Sequence, residues 1–170
     1  MAEPITIYKL TILNMLDKVD FPLTTSQISE FILEKEYTTY FKLQETLAEM
    51  EHSGLLRVET THNRTLYHLT DNGLDTIQYF KNKISPAIQR DIDEFLKEKK
   101  YDLKEEVSVK SDYYLNTNHE YEVKCQILEN GSHLIDMTLT VPTQTEAEAI
   151  VNNWNRKNQE IYALLLSQLL

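Results

Sequence analysis

At 170 residues, with 41% hydrophobic and 26% charged side chains, the chain has the make-up of one ordinary folded domain or two small ones. A formal charge of −10 excludes strong non-specific nucleic-acid binding, which rests on lysine and arginine neutralising phosphates. Three glycines and four prolines leave little room for an all-β fold, and the lone cysteine, Cys125, excludes an internal disulfide framework.

Neither half is basic. Residues 1–84 carry 8 basic and 12 acidic residues (−4), and residues 85–170 carry 9 and 15 (−6). Contact with DNA would have to come from a local patch. The start, Met1-Ala2-Glu3-Pro4, lacks the basic residues and apolar run of a signal peptide. The run Ala163–Leu166 is far short of the roughly 20 residues of a membrane span. With a single thiol, these features point to the reducing cytoplasm and to no membrane contact.

Ile5 to Val19 reads as a first helix, with Ile5, Tyr8, Ile12, Met15, Leu16 and Val19 on one apolar stripe. Asp20-Phe21-Pro22-Leu23 breaks it. Thr24 opens a second helix running to about Glu36, with Gln27 at capping-box spacing and Ile28, Phe31 and Ile32 on its inner face. Thr38 or Thr39 caps a third helix reaching His52. Its expected buried residues are Tyr40, Leu43, Leu47 and Met50; Thr39, Lys42, Glu45, Thr46 and Glu49 face away. Gly54 is a helix stop. A strand at Leu55–Thr60, a tip at His62-Asn63-Arg64 and a return strand at Thr65–Leu69 form a hairpin, with Tyr67 and Leu69 inward. Thr70 caps a fourth helix with stripe Leu74, Ile77, Phe80 and Ile84.

Ser85-Pro86 starts a connecting helix over 85–100, striped by Ile88, Ile92, Phe95 and Leu96, and a boundary is expected near Tyr101–Lys104. The period then changes to two. Val107, Val109, Ser111, Tyr113 and Leu115 form one strand; Tyr121, Val123, Cys125 and Ile127 the next; Ile135, Met137, Leu139 and Val141 a third. Asn130-Gly131 turns the second hairpin. Thr143 and Glu146 cap a long last helix to Leu170, with Ala147, Ile150, Val151, Trp154, Ile161, Leu164, Leu165 and Leu169 on its stripe. At 1.5 Å per residue it is roughly 40 Å long, against about 30 Å for a nine-residue strand. Its overhanging end exposes apolar side chains, which suit dimerisation through Tyr162, Leu165, Leu166, Leu169 and Leu170 or packing back on an earlier helix.

The fold class is α+β: residues 1–84 form a winged helix-turn-helix, and residues 101–170 form a three-stranded antiparallel sheet covered by a long C-terminal helix. The second helix of such a pair enters the major groove. That assigns DNA contacts to Thr38, Thr39, Lys42, Glu45 and Thr46, with Arg57 and the tip residues His62, Asn63 and Arg64 reaching the backbone or minor groove. The expected partners are double-stranded DNA and a second copy of the chain. The alternative is a winged helix that binds protein, because Glu45, Glu49 and Glu51 put acid on the third helix.

Residues 38–84 resemble the winged-helix regulators of the PadR and MarR type. The likeness lies in Leu47-Ala48-Glu49-Met50-Glu51-His52-Ser53-Gly54-Leu55-Leu56 and Tyr67-His68-Leu69-Thr70-Asp71-Asn72-Gly73. It implies a recognition helix entering a wing, then a return strand entering the next helix. The full length, with Val141-Pro142-Thr143, Glu146-Ala147 and Asn153-Trp154, resembles a bacterial family of similar size that joins an N-terminal winged helix to a C-terminal strand–strand–strand–helix piece. The function expected is a homodimeric transcriptional regulator on a short palindrome.

Catalysis is not expected. His52, His62, His68, His119 and His133 include no i, i+4 pair for a helical metal site, and one cysteine does not make a structural zinc site. Cys125 reads as a core thiol. No cofactor is implied. Tyr113, Tyr121, Trp154 and Tyr162 are a candidate sensor pocket between sheet and helix, or plain core.

Overall fold

The computed structural model describes residues Pro4–Leu170, with side chains from Thr6 onward; Ile5, placed above on the first inner stripe, lies outside the described side chains. The order is α1 (Pro4–Asp17), β1 (Leu23–Thr24), α2 (Thr25–Glu34), α3 (Tyr40–His52), β2 (Leu56–Thr60), β3 (Thr65–Leu69), α4 (Asp71–Phe80), a 3-10 turn at Lys81–Lys83, α5 (Pro86–Ser108), β4 (Val109–Leu115), β5 (Tyr121–Glu129), β6 (Ser132–Val141) and α6 (Gln144–Leu169). The fold is α+β, with two three-stranded antiparallel sheets, ordered β1-β3-β2 and β4-β5-β6. Two compact units result: residues 1–60 with 64–104, and residues 105–170 with the loop 61–63.

In the first unit α1 is the central element. Every residue from Leu10 to Leu16 is buried, because α3, α4, β3 and the 3-10 turn all pack on this one helix. A single stripe was expected. Thr11 is accommodated by donating its hydroxyl to the Ile7 carbonyl at 2.8 Å, whereas the Asn14 amide, also buried, has no hydrogen-bond partner among the described residues.

The capping box at α2 forms as its spacing predicts: Thr24 Oγ1 accepts from the Gln27 amide, and the Gln27 side chain accepts from the Thr24 N–H. Its inner residue Phe31 meets Tyr37 edge-on at 5.7 Å and the Phe95 ring of α5 at 5.1 Å. β1 was not expected. It is two residues long and exists through pairing, Leu23 with Tyr67 and Thr24 with Leu66.

After α3, the Leu55 N–H bonds to the Met50 carbonyl at 2.9 Å and the Gly54 N–H to Glu51 at 3.1 Å, a Schellman stop with Gly54 at φ 77°. α4 begins directly against this turn. The Thr70 hydroxyl lies 2.7 Å from the Gly54 carbonyl and 3.0 Å from the Leu55 carbonyl while accepting from the Gly73 N–H. Helix α4 ends at Phe80, sooner than its stripe suggests. Phe80 is exposed, and Ile84 is buried from beyond the 3-10 turn.

Helix α5 runs to Ser108, past the expected end at residue 100, and Val107 is helical rather than the start of a strand. Ile88, Ile92, Phe95, Leu96 and Leu103 all belong to the first core. Residues 86–104 of this helix are therefore part of the first unit rather than only a connector, and the boundary between the units, expected near Tyr101–Lys104, falls after Lys104, inside the helix.

The second unit packs α6 on one face of its sheet. Val123, Cys125 and Ile127 of β5 meet Ala147, Val151 and Trp154 of α6. Asn130 and Gly131 both take positive φ at the tight turn, and Thr143 with Glu146 forms the predicted capping box. Leu115 and Leu139, expected inward, are half or nearly half in solvent.

Candidate functional site

Helix α3 and the β2–β3 hairpin carry the residues singled out for DNA contact. Thr39 is the N-cap, in extended backbone, its hydroxyl accepting from the Lys42 N–H at 3.3 Å. Thr38 is half-buried, and Thr39, Lys42 and Glu45 are exposed. Glu49 is exposed but ion-paired with Lys9 at 2.8 Å.

Two assignments on this helix exchange places. Tyr40 is exposed rather than buried, and Thr46 is fully buried rather than outward. The inner face is Leu43, Thr46, Leu47 and Met50. Thr46 tolerates burial because its hydroxyl donates to the Lys42 carbonyl at 2.8 Å, one turn back; it does not reach a ligand. The outward face instead presents Phe41, 80% exposed, with Ala48 also exposed. Sequence periodicity missed both. The usable signal was that Thr46 lies three residues from Leu43 and four from Met50, at the centre of an inner face that excludes Tyr40.

On β2, Arg57 is exposed and opposite His68, whose Nε2 is 2.8 Å from a Glu59 carboxylate oxygen. Arg64 is half-buried and Asn63 exposed. His62 is committed within the second unit: its Nδ1 contacts the Asp112 carboxylate, and its ring stacks on Tyr113 at 3.9 Å with 8° between planes. It remains exposed at the tip of the hairpin. The Tyr113 phenol is held above its ordinary range by desolvation and by donating to the Glu148 carboxylate at 3.1 Å.

Tyr113, Tyr121, Trp154 and Tyr162, read from the sequence as a sensor pocket or plain core, all belong to or pack against the core of the second unit. Val109, Val123, Met137 and Trp154 pack together between sheet and helix, and Trp154 is 1% exposed. Its indole N–H donates to the Gln126 carbonyl at 3.4 Å. The Cys125 thiol is buried there, its pKa pushed up to about 11 by desolvation, which suppresses the nucleophilic thiolate.

Of the proposed dimer residues, Tyr162 packs against this core and Leu165 is half-buried, whereas Leu166, Leu169 and Leu170 are exposed, together with Leu164. Tyr162 is thus a core residue first. Among the described residues no group of three histidine, cysteine, aspartate or glutamate side chains comes together to hold a metal ion, and no helix is long and apolar enough to cross a membrane.

A family description, "Domain of unknown function (DUF4364)", matches residues 8–169. No curated protein and no solved structure matches the chain. With nearly its whole length covered by that one description, the chain belongs to the DUF4364 family.

Proposed function

We propose that the first unit is a winged helix-turn-helix of the PadR/MarR kind, that α3 is its recognition helix and the β2–β3 hairpin its wing, and that the protein is a transcriptional regulator binding double-stranded DNA as a homodimer. The observation that carries this reading is the form of α3. It is capped at Thr39, seated on the core by Leu43, Thr46, Leu47 and Met50, and leaves a full outward face from Phe41 to Ala48 in solvent. Such a helix fits the major groove of B-DNA, about 12 Å wide. Thr39, Lys42 and Glu45 lie on or beside that face, and Arg57 and Arg64 sit on the hairpin that follows.

The dimer reading rests on the end of α6, where Leu164, Leu166, Leu169 and Leu170 are exposed. A second copy covers such an apolar end by two-fold packing. Two-fold symmetry then sets two half-sites about 34 Å apart, one helical turn of DNA. A second reading, a protein-binding scaffold, is favoured by the overall charge of −10 and by Tyr40 and Phe41 lying in solvent near Glu45.

The test is enrichment of duplexes from a random pool by the full-length protein at two salt concentrations. A regulator enriches a palindrome, loses affinity as salt rises, and fails to enrich it as the Lys42→Glu/Arg57→Glu variant. A scaffold enriches nothing at either salt concentration.

A further inference from the structure

The outward row of α3 has a chemistry that phosphate contacts do not use. At 3.6 residues per turn, the side opposite Leu43, Thr46, Leu47 and Met50 is the row Phe41, Glu45 and Ala48, spaced four and three apart. All three are exposed, and Phe41 keeps 80% of its surface in water at the centre of that face. No lysine or arginine lies in the row, which His52, also exposed, continues one turn further on. Lys42 is to one side, and Glu49 beside it is neutralised by Lys9. The row therefore lacks the bidentate donor that recognises guanine O6 and N7. What it offers, in order, is an aromatic ring, a carboxylate and a methyl group. In the major groove an apolar side chain packs on the thymine 5-methyl, and a carboxylate accepts from the cytosine 4-amino group. From Phe41 to Ala48 the helix rises about 10 Å, close to three base-pair steps of about 3.4 Å.

We propose that Phe41, Glu45 and Ala48 determine the sequence specificity of α3 and read a pyrimidine run. Phe41 and Ala48 contact thymine methyl groups on either side of a cytosine whose amino group donates to Glu45. This rests on the DNA-binding reading above and names the bases that it reads. Phe41 and Ala48 add direct readout to a surface with few cations, so that specificity comes from shape and methyl burial more than from charge.

The test uses duplexes enriched by the full-length protein, resynthesised with deoxyuridine at each thymine in turn, which removes only the 5-methyl group. Binding weakens about fourfold per contacted methyl, the worth of one buried methylene, at two positions flanking a cytosine. Phe41→Ala loses the same factor on the thymine duplex and becomes indifferent to deoxyuridine at one of them, while Phe41→Leu keeps part of the discrimination. Glu45→Gln shifts preference from cytosine towards adenine and binds other sequences more tightly, since a carboxylate facing DNA is removed. Because Phe41 is exposed, its variants melt with the parent. Duplexes whose affinity ignores deoxyuridine at every position, or an unchanged profile in Phe41→Ala, overturn the pyrimidine readout and leave the DNA reading standing. Failure to enrich any duplex overturns both, and assigns the aromatic face to a protein partner.

Discussion

Replacing Gly73 by alanine reverses a sign that local propensity alone predicts. Gly73 lies inside α4, and an alanine in a helix interior is more favourable than glycine by about 1 kcal/mol. At this position an added Cβ meets the Leu55 carbonyl oxygen at 2.2 Å and Leu69 Cδ1 at 2.9 Å. The first contact is with backbone and cannot swing away. Relief even to 3.0 Å, the closest that a Cβ contact comes, needs a shift of 0.8 Å (3.0 − 2.2) between α4 and the turn after α3. That shift opens the contacts of the Thr70 hydroxyl with the Gly54 and Leu55 carbonyls. Overpacking costs about 1–3 kcal/mol, and the one hydrogen bond that the Thr70 hydroxyl can donate, shared between the two carbonyls, about 1 kcal/mol. Set against the helix gain, Gly73→Ala destabilises by about 1–3 kcal/mol. At about 2–4 °C per kcal/mol in a protein of this size, Tm falls by about 2–12 °C in melts followed by far-ultraviolet circular dichroism. Gly131→Ala is the comparator. It meets nothing within 4 Å but sits at φ 79°, so it costs only the about 1–2 kcal/mol of a left-handed L-residue. A Gly73→Ala protein as stable as the parent refutes the reasoning, because the close approach that carries it would then be soft.

Cys125 ties stability to alkaline pH. Its native pKa is pushed up to about 11 against the ordinary value of 9.0, so below pH 9 both states keep the proton. Between about 9 and 11 the unfolded thiol has ionised while the native one has not. The native state then holds more protons, and stability falls with rising pH by up to about 1.4 kcal/mol per unit. Cys125→Ala flattens that segment of the denaturation-versus-pH curve, and an unchanged slope counts against burial as its cause. Thr143→Ala removes the side-chain half of the α6 capping box and lowers stability by about 1 kcal/mol. The fluorescence of Trp154, the single tryptophan, reports it as a lower urea midpoint, and an unshifted midpoint excludes the cap as a stabiliser.

Features written in adjacent residues were legible and features that depend on a distant partner were not. The boxes Thr24–Gln27 and Thr143–Glu146 close within one turn, so three residues specify them. The Asn130-Gly131 turn needs only two residues of positive φ. β1, by contrast, is a strand only because β3 lies beside it. The extent of α5 was lost because Val107 and Val109 alternate with polar neighbours as a strand does, although Leu103 and Val107 also continue the four-residue spacing of Ile92 and Leu96. On α3 the stripe rule assigned Tyr40 inward by its apolar character and Thr46 outward by its hydroxyl. A threonine that bonds its own helix backbone can be buried, and the exchange moved the Tyr40 ring to the exposed side of the helix. The pairing of His62 with Asp112 spans 50 residues, which no local pattern encodes.

The burial of α1 on every side sets up a contradiction at Asn14, and the contradiction has a measurable consequence. Its side chain is fully buried, and neither Oδ1 nor Nδ2 has a hydrogen-bond partner among the described residues. An unpaired buried amide costs about 1–3 kcal/mol relative to a paired or solvated one. Leucine has the same branched outline, favours helix more than asparagine does, and has nothing to desolvate. Asn14→Leu therefore stabilises the protein by about 1–3 kcal/mol and raises Tm by about 2–10 °C. Asn14→Ala separates the two terms: it also removes the amide, but leaves a void whose lost contacts offset the gain, so it falls below the leucine variant. If Asn14→Leu melts below the parent, the amide is satisfied in the folded protein and the core around α1 is specified by a polar contact. If it melts above, α1 keeps an asparagine at its centre against stability, and the packing of four neighbouring elements onto one helix outweighs that cost.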